Sequence, residues 1–129
     1  MMADTIFERM KVFVEALGDT REGTELAKLY DHAYQFEVTD APAPTFFFVK
    51  FAGGKIAFGE GKVENPNVRD VTRVEAPAQT YVDLIEGRLK PSEAWIRQKW
   101  WVSGQMSKRP LHAFIMRFIR TGQDLRIQA

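Results

Sequence analysis

The period of the apolar residues changes at Tyr34, and this change constrains the fold more than any other feature of the chain. Over residues 6–17 apolar side chains recur every three or four positions, which predicts an amphipathic helix capped by Asp4 and ended by Gly18. From Tyr34 to Thr39 apolar and polar residues alternate, which predicts a half-buried strand. A chain that passes from helices to a run of strands favours an α+β fold.

The same reasoning divides the rest of the chain into short elements. A second helix is expected after the capping-box pattern of 19–22, with its inward residues at Leu26, Leu29, Tyr30 and Ala33. Further strands are expected at 45–51, 55–63, 70–75 and 99–103. Further helices are expected to begin at Pro77, Pro91 and Pro110. We therefore predict one α+β domain over 1–129, with a five-stranded mixed, mostly antiparallel sheet, three hairpins between its first four strands, and helices mainly on one face.

Composition excludes several classes of active site. The chain has no cysteine and two histidines, so disulfides, thiolate nucleophiles and Cys-ligated metals are excluded, and no metal cluster or other cofactor is expected. His32 and His112 have no obvious partner in the sequence, and both are expected at the surface. Asp83 is the best-placed carboxylate, but it lies off the apolar stripe of its helix and is expected to face water as an ordinary ionised group. The sequence therefore predicts no catalytic residue.

Charge is divided unevenly along the chain. Residues up to Ile85 carry a net charge of −5, and those from Glu86 onward carry +6. A basic C-terminal third fits peripheral contact with an anionic membrane, although a solvated helix face is the alternative. The residues predicted to make that contact are Lys108, Arg109, Arg117 and Arg120.

Other binding partners and compartments follow from the same scan of the sequence. Nucleic acid is not expected, because the pair Trp100–Trp101 lies in a predicted strand where core packing explains it better than base stacking. No apolar stretch approaches the length of a membrane span, and the first residues lack the pattern of a signal peptide. A cytoplasmic location is therefore expected.

Three local patterns lie in register between Phe46 and Phe118. They are a strand with a glycine turn at 47–54 (FFVKFAGG), a helix, Gly87 and a second turn at 81–95 (YVDLIEGRLKPSEAW), and a strand with a Gly-polar-Met exit at 99–106 (KWWVSGQM). Together they resemble the sterol-carrier-protein-2 family over more than half of the chain. The resemblance implies a lipophilic tunnel between a five-stranded sheet and its helices, which takes sterols, fatty acyl chains, acyl-CoAs or other lipids without fixed specificity.

Strand alternation and helix stripes select the side chains expected to line such a tunnel. They are Phe47, Val49, Phe51, Tyr81, Leu84, Ile85, Trp95, Trp100, Val102, Met106, Leu111, Phe114, Ile115 and Phe118. The leading hypothesis is non-catalytic binding or transfer of a hydrophobic ligand. The alternatives are an accessory scaffold that holds an isoprenoid-quinone precursor, and a small enzyme that acts on acyl-CoA through His112 or Asp83.

The other face of the sheet is expected to turn away from the helices. The register that fits the three patterns places Arg73 and Glu75 on this face, and alternation adds Phe46, Phe48 and Trp101. A contiguous aromatic patch there predicts a homodimer, a membrane-docking face or a pure interaction module. The alternative, which we weigh equally, is that a loop or a terminus covers it.

Overall fold

A computed structural model of the protein describes residues 5–40, 46–63, 71–104 and 109–129. Its helices are α1 (Ile6–Gly18), α2 (Arg21–Ala27), α3 (Ala78–Ile85), α4 (Pro91–Ile96) and α5 (Arg109–Asp124). Its strands are β1 (His32–Val38), β2 (Phe46–Ala52), β3 (Lys55–Glu60), β4 (Val71–Ala76) and β5 (Trp101–Ser103). Within these ranges no helix is both long and apolar enough to cross a bilayer.

The five strands form one mixed sheet in the order β3-β2-β1-β4-β5. Three of its pairs are antiparallel, whereas β4 runs parallel to β1 with Thr72 opposite Tyr34. The predicted mixed, mostly antiparallel sheet is confirmed, but the third hairpin is wrong. After β3 the chain crosses the sheet and adds β4 to the other edge of β1, where backbone N–H and C=O groups still need partners.

Threonines, rather than the aspartates expected from the sequence, cap the first two helices. Thr5 Oγ1 accepts the Glu8 N–H at 3.1 Å, and Thr20 Oγ1 accepts the Gly23 N–H at 2.9 Å. These bonds satisfy N–H groups that the first turn of a helix leaves without partners. Asp19 instead follows α1 as its C-cap residue.

The second helix is shorter than predicted. It ends at Ala27, and the N–H groups of Lys28 and Leu29 close a tight last turn by bonding to carbonyls three residues back. Leu29 and Tyr30 are therefore 51% and 39% exposed, and Ala33 lies in β1. The expected inward positions of Leu29 and Tyr30 on a helix are wrong, because the chain must leave α2 early to enter the central strand.

Alternation turns one face of the sheet towards the helices. The buried side chains that β1, β2 and β4 turn to this face include Tyr34, Phe36, Val38, Phe47, Val49, Phe51, Thr72, Val74 and Ala76. Arg73 is exposed and Glu75 half-buried on the opposite face, which confirms the predicted register of this strand. The helices cover the apolar face, so the core lies between them and the sheet.

Two glycines set the β2–β3 hairpin, and a third lets an aromatic ring pack on the sheet. Gly53 and Gly54 have φ of 59° and 79°, which a two-residue hairpin turn requires and L side chains rarely adopt. In β3 the ring of Phe48 lies over Gly59, where a Cβ atom would come within 2.2 Å of Phe48 Cζ. Any larger residue at position 59 would displace this ring.

Candidate functional site

Phe114 of α5 is the centre of an aromatic cluster between the helix and the sheet. Its ring centroid lies 5.2 Å from those of Tyr30 and Phe51 and 6.4 Å from that of Tyr34. Phe118, one helical turn further along α5, lies 5.1 Å from Phe51. Residues four apart share one face of a helix, so α5 presents both phenylalanines to the sheet. Because Tyr30 is partly exposed, this cluster runs from the surface into the core.

A second aromatic cluster fills the neighbouring part of the same face. The rings of Phe36 and Phe47 stack at 4.8 Å, and Phe47 also contacts Phe58 at 5.4 Å and Tyr81 at 5.7 Å. Phe7 of α1 closes this side by packing on Phe58 at 5.3 Å. The two clusters together place aromatic rings across β1, β2 and β3, so most of the surface between sheet and helices is apolar.

Most of the residues predicted to line a ligand site meet in this core. The buried members are Phe47, Val49, Phe51, Tyr81, Leu84, Ile85, Trp100, Val102, Phe114, Ile115 and Phe118. Leu111 is half-buried at the start of α5, and Met106 lies outside the described residues. Trp95 is 47% exposed and is not brought to the others, because α4 turns its Pro91 and Ala94 inward instead. That the assembled residues hold a ligand stays a prediction.

Two tyrosine hydroxyls are accommodated inside the core by backbone acceptors. Tyr34 donates to the Leu111 carbonyl at 2.7 Å, which ties β1 to α5, and Tyr81 donates to the Glu37 carbonyl at 2.8 Å. Burial raises the pKa of both phenols, and for Tyr81 the charges of Glu37 and Glu75 raise it further. Both tyrosines are therefore neutral donors near pH 7.

The two histidines occupy different environments from those expected. His32 lies in β1 and is buried, with its Nε2 2.7 Å from Thr72 Oγ1 and its ring 4.9 Å from that of Tyr34. The prediction of a surface histidine at this position is wrong, because it rested on a second helix that was too long. His112 is half-buried on α5; burial and the nearby Arg109 lower its pKa, so it is neutral near pH 7.

Asp83 belongs to a surface network of ion pairs rather than to the core. Gln79 donates to its carboxylate at 2.9 Å and Arg88 at 2.8 Å, and these contacts, the Gln79 bond first, lower the pKa of Asp83. Arg88 also pairs with Glu86, which Arg9 of α1 reaches at 2.6 Å. A general base at neutral pH needs a raised pKa, so this arrangement does not prepare Asp83 for that role.

The opposite face of the sheet carries a cavity of about 440 Å³. Its lining residues are Gln35, Glu37, Phe46, Lys62, Val63, Val71, Arg73 and Glu75. Half of these side chains are charged, and none belongs to the set predicted to line a lipid tunnel. Among the described residues, then, the apolar core and this cavity, with both charged and apolar lining residues, lie on opposite faces of one sheet.

The side chain of Gln35 forms three hydrogen bonds on this second face of the sheet. Its side-chain amide donates to the carbonyls of Phe47 and Gly61, both at 3.0 Å, and its oxygen accepts the Val63 N–H at 2.7 Å. The bonds to Gly61 and Val63 hold the residues just after β3 against this face, and the bond to Phe47 fixes the Gln35 side chain on β2. From the sequence Gln35 resembles any polar residue on the outer face of a strand, so this role had no visible signal.

The aromatic patch expected on that face is only partly exposed. Phe46 and Phe48 are both half-buried, with Lys62 Nζ 4.8 Å above the Phe46 ring and Phe48 packed on Gly59. Trp101 is 51% exposed, as expected. The prediction of two exposed phenylalanines is therefore wrong, because the chain after β3 and the glycine of β3 provide them with contacts.

The described residues predicted to contact a membrane lie on the outer side of α5. They are Arg109, Arg117 and Arg120, all exposed, whereas Lys108 lies outside the described residues. Arg120 pairs with Asp124 at 2.9 Å, and Arg117 borders a surface groove between α2 and α5 that also contains Glu22 and Glu25. Acidic neighbours therefore offset part of the positive charge counted along the sequence.

Metal-based chemistry would need a cluster of suitable side chains. In the part of the chain that the structure describes, no three His, Cys, Asp or Glu residues lie close enough together to hold a metal ion. The features that remain are the aromatic core, whose outermost ring Tyr30 is partly exposed, and the cavity on the other face of the sheet.

These features define a class of protein, a small α+β domain whose helices enclose an apolar interior against one face of a mixed five-stranded sheet. Within that class, the chain belongs to the SCP-2 sterol transfer family, whose family model matches residues 13–109. No curated protein sequence matches the chain.

Solved structures with the same fold include carrier domains from insects. The solution structure of the sterol carrier protein domain 2 of Helicoverpa armigera is similar with a TM-score of 0.68 and 23% identity, over 92% of this chain and 88% of that one. The solution structure of palmitated SCP2L2 from Aedes aegypti is similar with a TM-score of 0.57 and 20% identity, over 92% of this chain and 95% of that one. At these identities the likeness supports the fold alone.

The same fold also occurs as part of an enzyme. The structure of the stereoselective inverting sec-alkylsulfatase Pisa1 from Pseudomonas sp. is similar with a TM-score of 0.53 and 16% identity. The match covers 72% of this chain but 14% of the sulfatase. A segment with the fold of this chain is therefore part of a much longer enzyme chain.

Proposed function

We propose that this protein binds a hydrophobic ligand between its sheet and its helices and transfers or stores it without chemical change. The observation that carries the proposal is the aromatic cluster around Phe114, which extends from the exposed edge of Tyr30 to the buried rings of Phe51 and Phe118. A ligand entering beside Tyr30 meets apolar surface along its whole path. We keep the cytoplasm as the predicted compartment.

A flexible acyl chain suits this site better than a rigid polar molecule. Each CH₂ group removed from water contributes about 0.8 kcal/mol, which is offset by the cost of ordering the chain and of parting the rings already in contact. The rings that must part belong to α5 and β2, whose contact is made by Phe51, Phe114 and Phe118. Movement of α5 away from the sheet would therefore open the site.

The groove between α2 and α5 supports an entry route on this side of the molecule. It has a volume of about 510 Å³, and Leu26 and Leu29 give it an apolar floor. Leu29, at its edge, directly precedes Tyr30, the exposed residue of the aromatic cluster. An isoprenoid-quinone precursor could use the same route, and we retain a scaffold for such a compound as the alternative.

The proposal is tested by uptake of palmitate by delipidated protein, observed by native mass spectrometry. We expect one palmitate per chain. The variant Tyr30→Asp places a carboxylate at the entrance and should weaken uptake, whereas Val12→Asp, at a residue of α1 with similar exposure (49%), should not. Failure of folded wild-type protein to take up palmitate, cholesterol, palmitoyl-CoA or decylubiquinone would contradict the proposal. Preferential uptake of decylubiquinone would favour the scaffold.

A further inference from the structure

The end of α4 presents two adjacent large apolar side chains to solvent. Trp95 is 47% exposed and Ile96 is 77% exposed, the largest exposure of any large apolar residue that the structure describes. Single exposed apolar residues are common on protein surfaces, whereas contiguous apolar patches mark contact sites. We call residues 95–99, which follow one another as Trp-Ile-Arg-Gln-Lys, the α4 tip.

The backbone holds this tip in one conformation. Gln98 has φ of 56°, and the N–H groups of Gln98 and Lys99 donate to the carbonyls of Trp95 and Ala94 at 3.1 and 2.7 Å. This is the Schellman arrangement that ends a helix, with glutamine where glycine is usual. On the inner side Pro91 and Ala94 are buried, so the anchored helix directs its last two side chains outward.

The same stretch of chain carries three basic side chains. Lys90, Arg97 and Lys99 are all exposed, and the one acidic residue in the same stretch, Glu93, lies 3.8 Å from Arg97. Asp83 on the neighbouring helix α3 interacts electrostatically with Lys99, but its ion pair is formed with Arg88. The stretch 90–99 thus carries an excess of two positive charges beside an exposed tryptophan.

We propose that the α4 tip docks on the surface of an anionic lipid bilayer, with Trp95 and Ile96 entering the headgroup region and the three basic residues contacting lipid phosphates. Tryptophan favours the membrane interface, and Lys and Arg are attracted to anionic leaflets. A second copy of the chain is a poorer fit, since two side chains fall far short of a stable protein interface and a two-fold axis would bring like charges together.

This docking surface differs from the basic side of α5 and goes beyond binding in the core. The test is sedimentation of the wild-type protein with sucrose-loaded vesicles of phosphatidylcholine, alone or mixed with phosphatidylglycerol. We expect binding to the mixed vesicles that weakens as salt is raised. The double variant Trp95→Ser/Ile96→Ser should lower the partition coefficient about tenfold. The control Val12→Ser, at a residue of α1 that is 49% exposed, should leave it unchanged.

Two further variants locate the contact. Arg97→Gln/Lys99→Gln should weaken binding to the mixed vesicles, whereas Arg117→Gln/Arg120→Gln on α5 should weaken it less. The proposal is overturned if wild-type protein does not sediment with mixed vesicles. It is also overturned if Arg117→Gln/Arg120→Gln loses binding that Arg97→Gln/Lys99→Gln retains. It is equally overturned if the tip mediates dimerisation in the absence of vesicles. Palmitate uptake from solution should be the same for Trp95→Ser/Ile96→Ser and the wild type. A loss of vesicle binding in this variant would then not be caused by a change at the ligand site.

Discussion

Gly122 of α5 packs directly against the ring of Phe13 in α1. A Cβ atom at position 122 would lie 2.3 Å from Phe13 Cζ, far inside van der Waals contact. Both residues are buried, Phe13 completely. The missing side chain at position 122 therefore sets how closely the first and last helices approach, and through them the position of α5 over the sheet.

We predict that Gly122→Ala destabilises the protein although alanine is the better helix former. The gain in helix propensity is about 1 kcal/mol, whereas overpacking a close contact costs about 1–3 kcal/mol. Urea unfolding should show a lower midpoint for the variant. In a Phe13→Leu background, which removes the outer part of the ring, the same substitution should cost less. An equal cost in both backgrounds would show that the Phe13 contact is not responsible.

Replacing Gln98 by glycine should stabilise the fold. Glutamine at a positive φ carries a steric cost of roughly 1–2 kcal/mol, which glycine avoids at the expense of about 0.5–1 kcal/mol of extra freedom in the unfolded chain. The net gain should be up to about 1 kcal/mol in thermal or urea unfolding. Arg97→Gly is the matched control, since Arg97 has a negative φ of −84° and should lose stability. Destabilisation by Gln98→Gly would contradict the left-handed backbone at this residue.

The ion-pair network of α1 and α3 should make stability depend on acid pH. Hydrogen bonds from Arg9, and next from Arg88, lower the pKa of Glu86, and that of Asp83 is lowered as well. A carboxyl group with a lowered pKa in the fold stabilises it above its unfolded pKa, and this contribution is lost as pH falls through the folded value. Glu86→Gln should therefore lower the urea midpoint at pH 7 but have little effect below about pH 3.

The control for this experiment is Glu25→Gln. Glu25 forms a single exposed pair with Lys28 at 3.9 Å, and such pairs contribute little to stability. Its midpoint should therefore match that of the wild type at both pH values. A constant difference between Glu86→Gln and the wild type across this range would show that the lost contact is not electrostatic.

We expect no turnover of acyl-CoA or lipid esters. Asp83 is held ionised by Gln79 and Arg88, and His112 is neutral but has no hydrogen-bond partner for its buried Nε2 among the described residues. Nothing in this geometry activates a nucleophile or a water molecule. Hydrolysis of palmitoyl-CoA should therefore be at background for the wild type, His112→Gln and Asp83→Asn. Turnover by the wild type that either folded variant loses would assign a catalytic role to that residue.

Local patterns predicted most of the elements, whereas long-range pairing escaped prediction. The strands around Phe36 and Val49 were recognisable because one apolar face gives a period of two. The pairing of β4 with β1 was not recognisable. A strand that returned antiparallel beside β3 would show the same alternation of apolar and polar residues as one that crosses over to β1. Likewise, nothing local marks the end of α2 at Ala27, since Leu29 and Tyr30 continue its apolar stripe.

Some residues of the candidate site could likewise be predicted from local patterns, and others could not. Phe51, Phe114 and Phe118 were predicted to face the core from periodicity alone, and they meet there. Trp95 could not be placed, because a helix of six residues offers too little periodicity to choose its inner face. The bonds of Gln35 join segments 12 to 28 residues apart, so they leave no trace in a local pattern.

The central claim is that a hydrophobic ligand lies between the sheet and the helices, and not in the cavity on the other face, which four charged residues help to line. The most direct test is the set of intermolecular NOEs between ¹³C-labelled palmitate and the delipidated protein. The account predicts NOEs from the acyl chain to the rings of Phe51, Phe114 and Phe118. NOEs confined to Phe46, Val63 and Val71, which line the cavity on the opposite face, would contradict it.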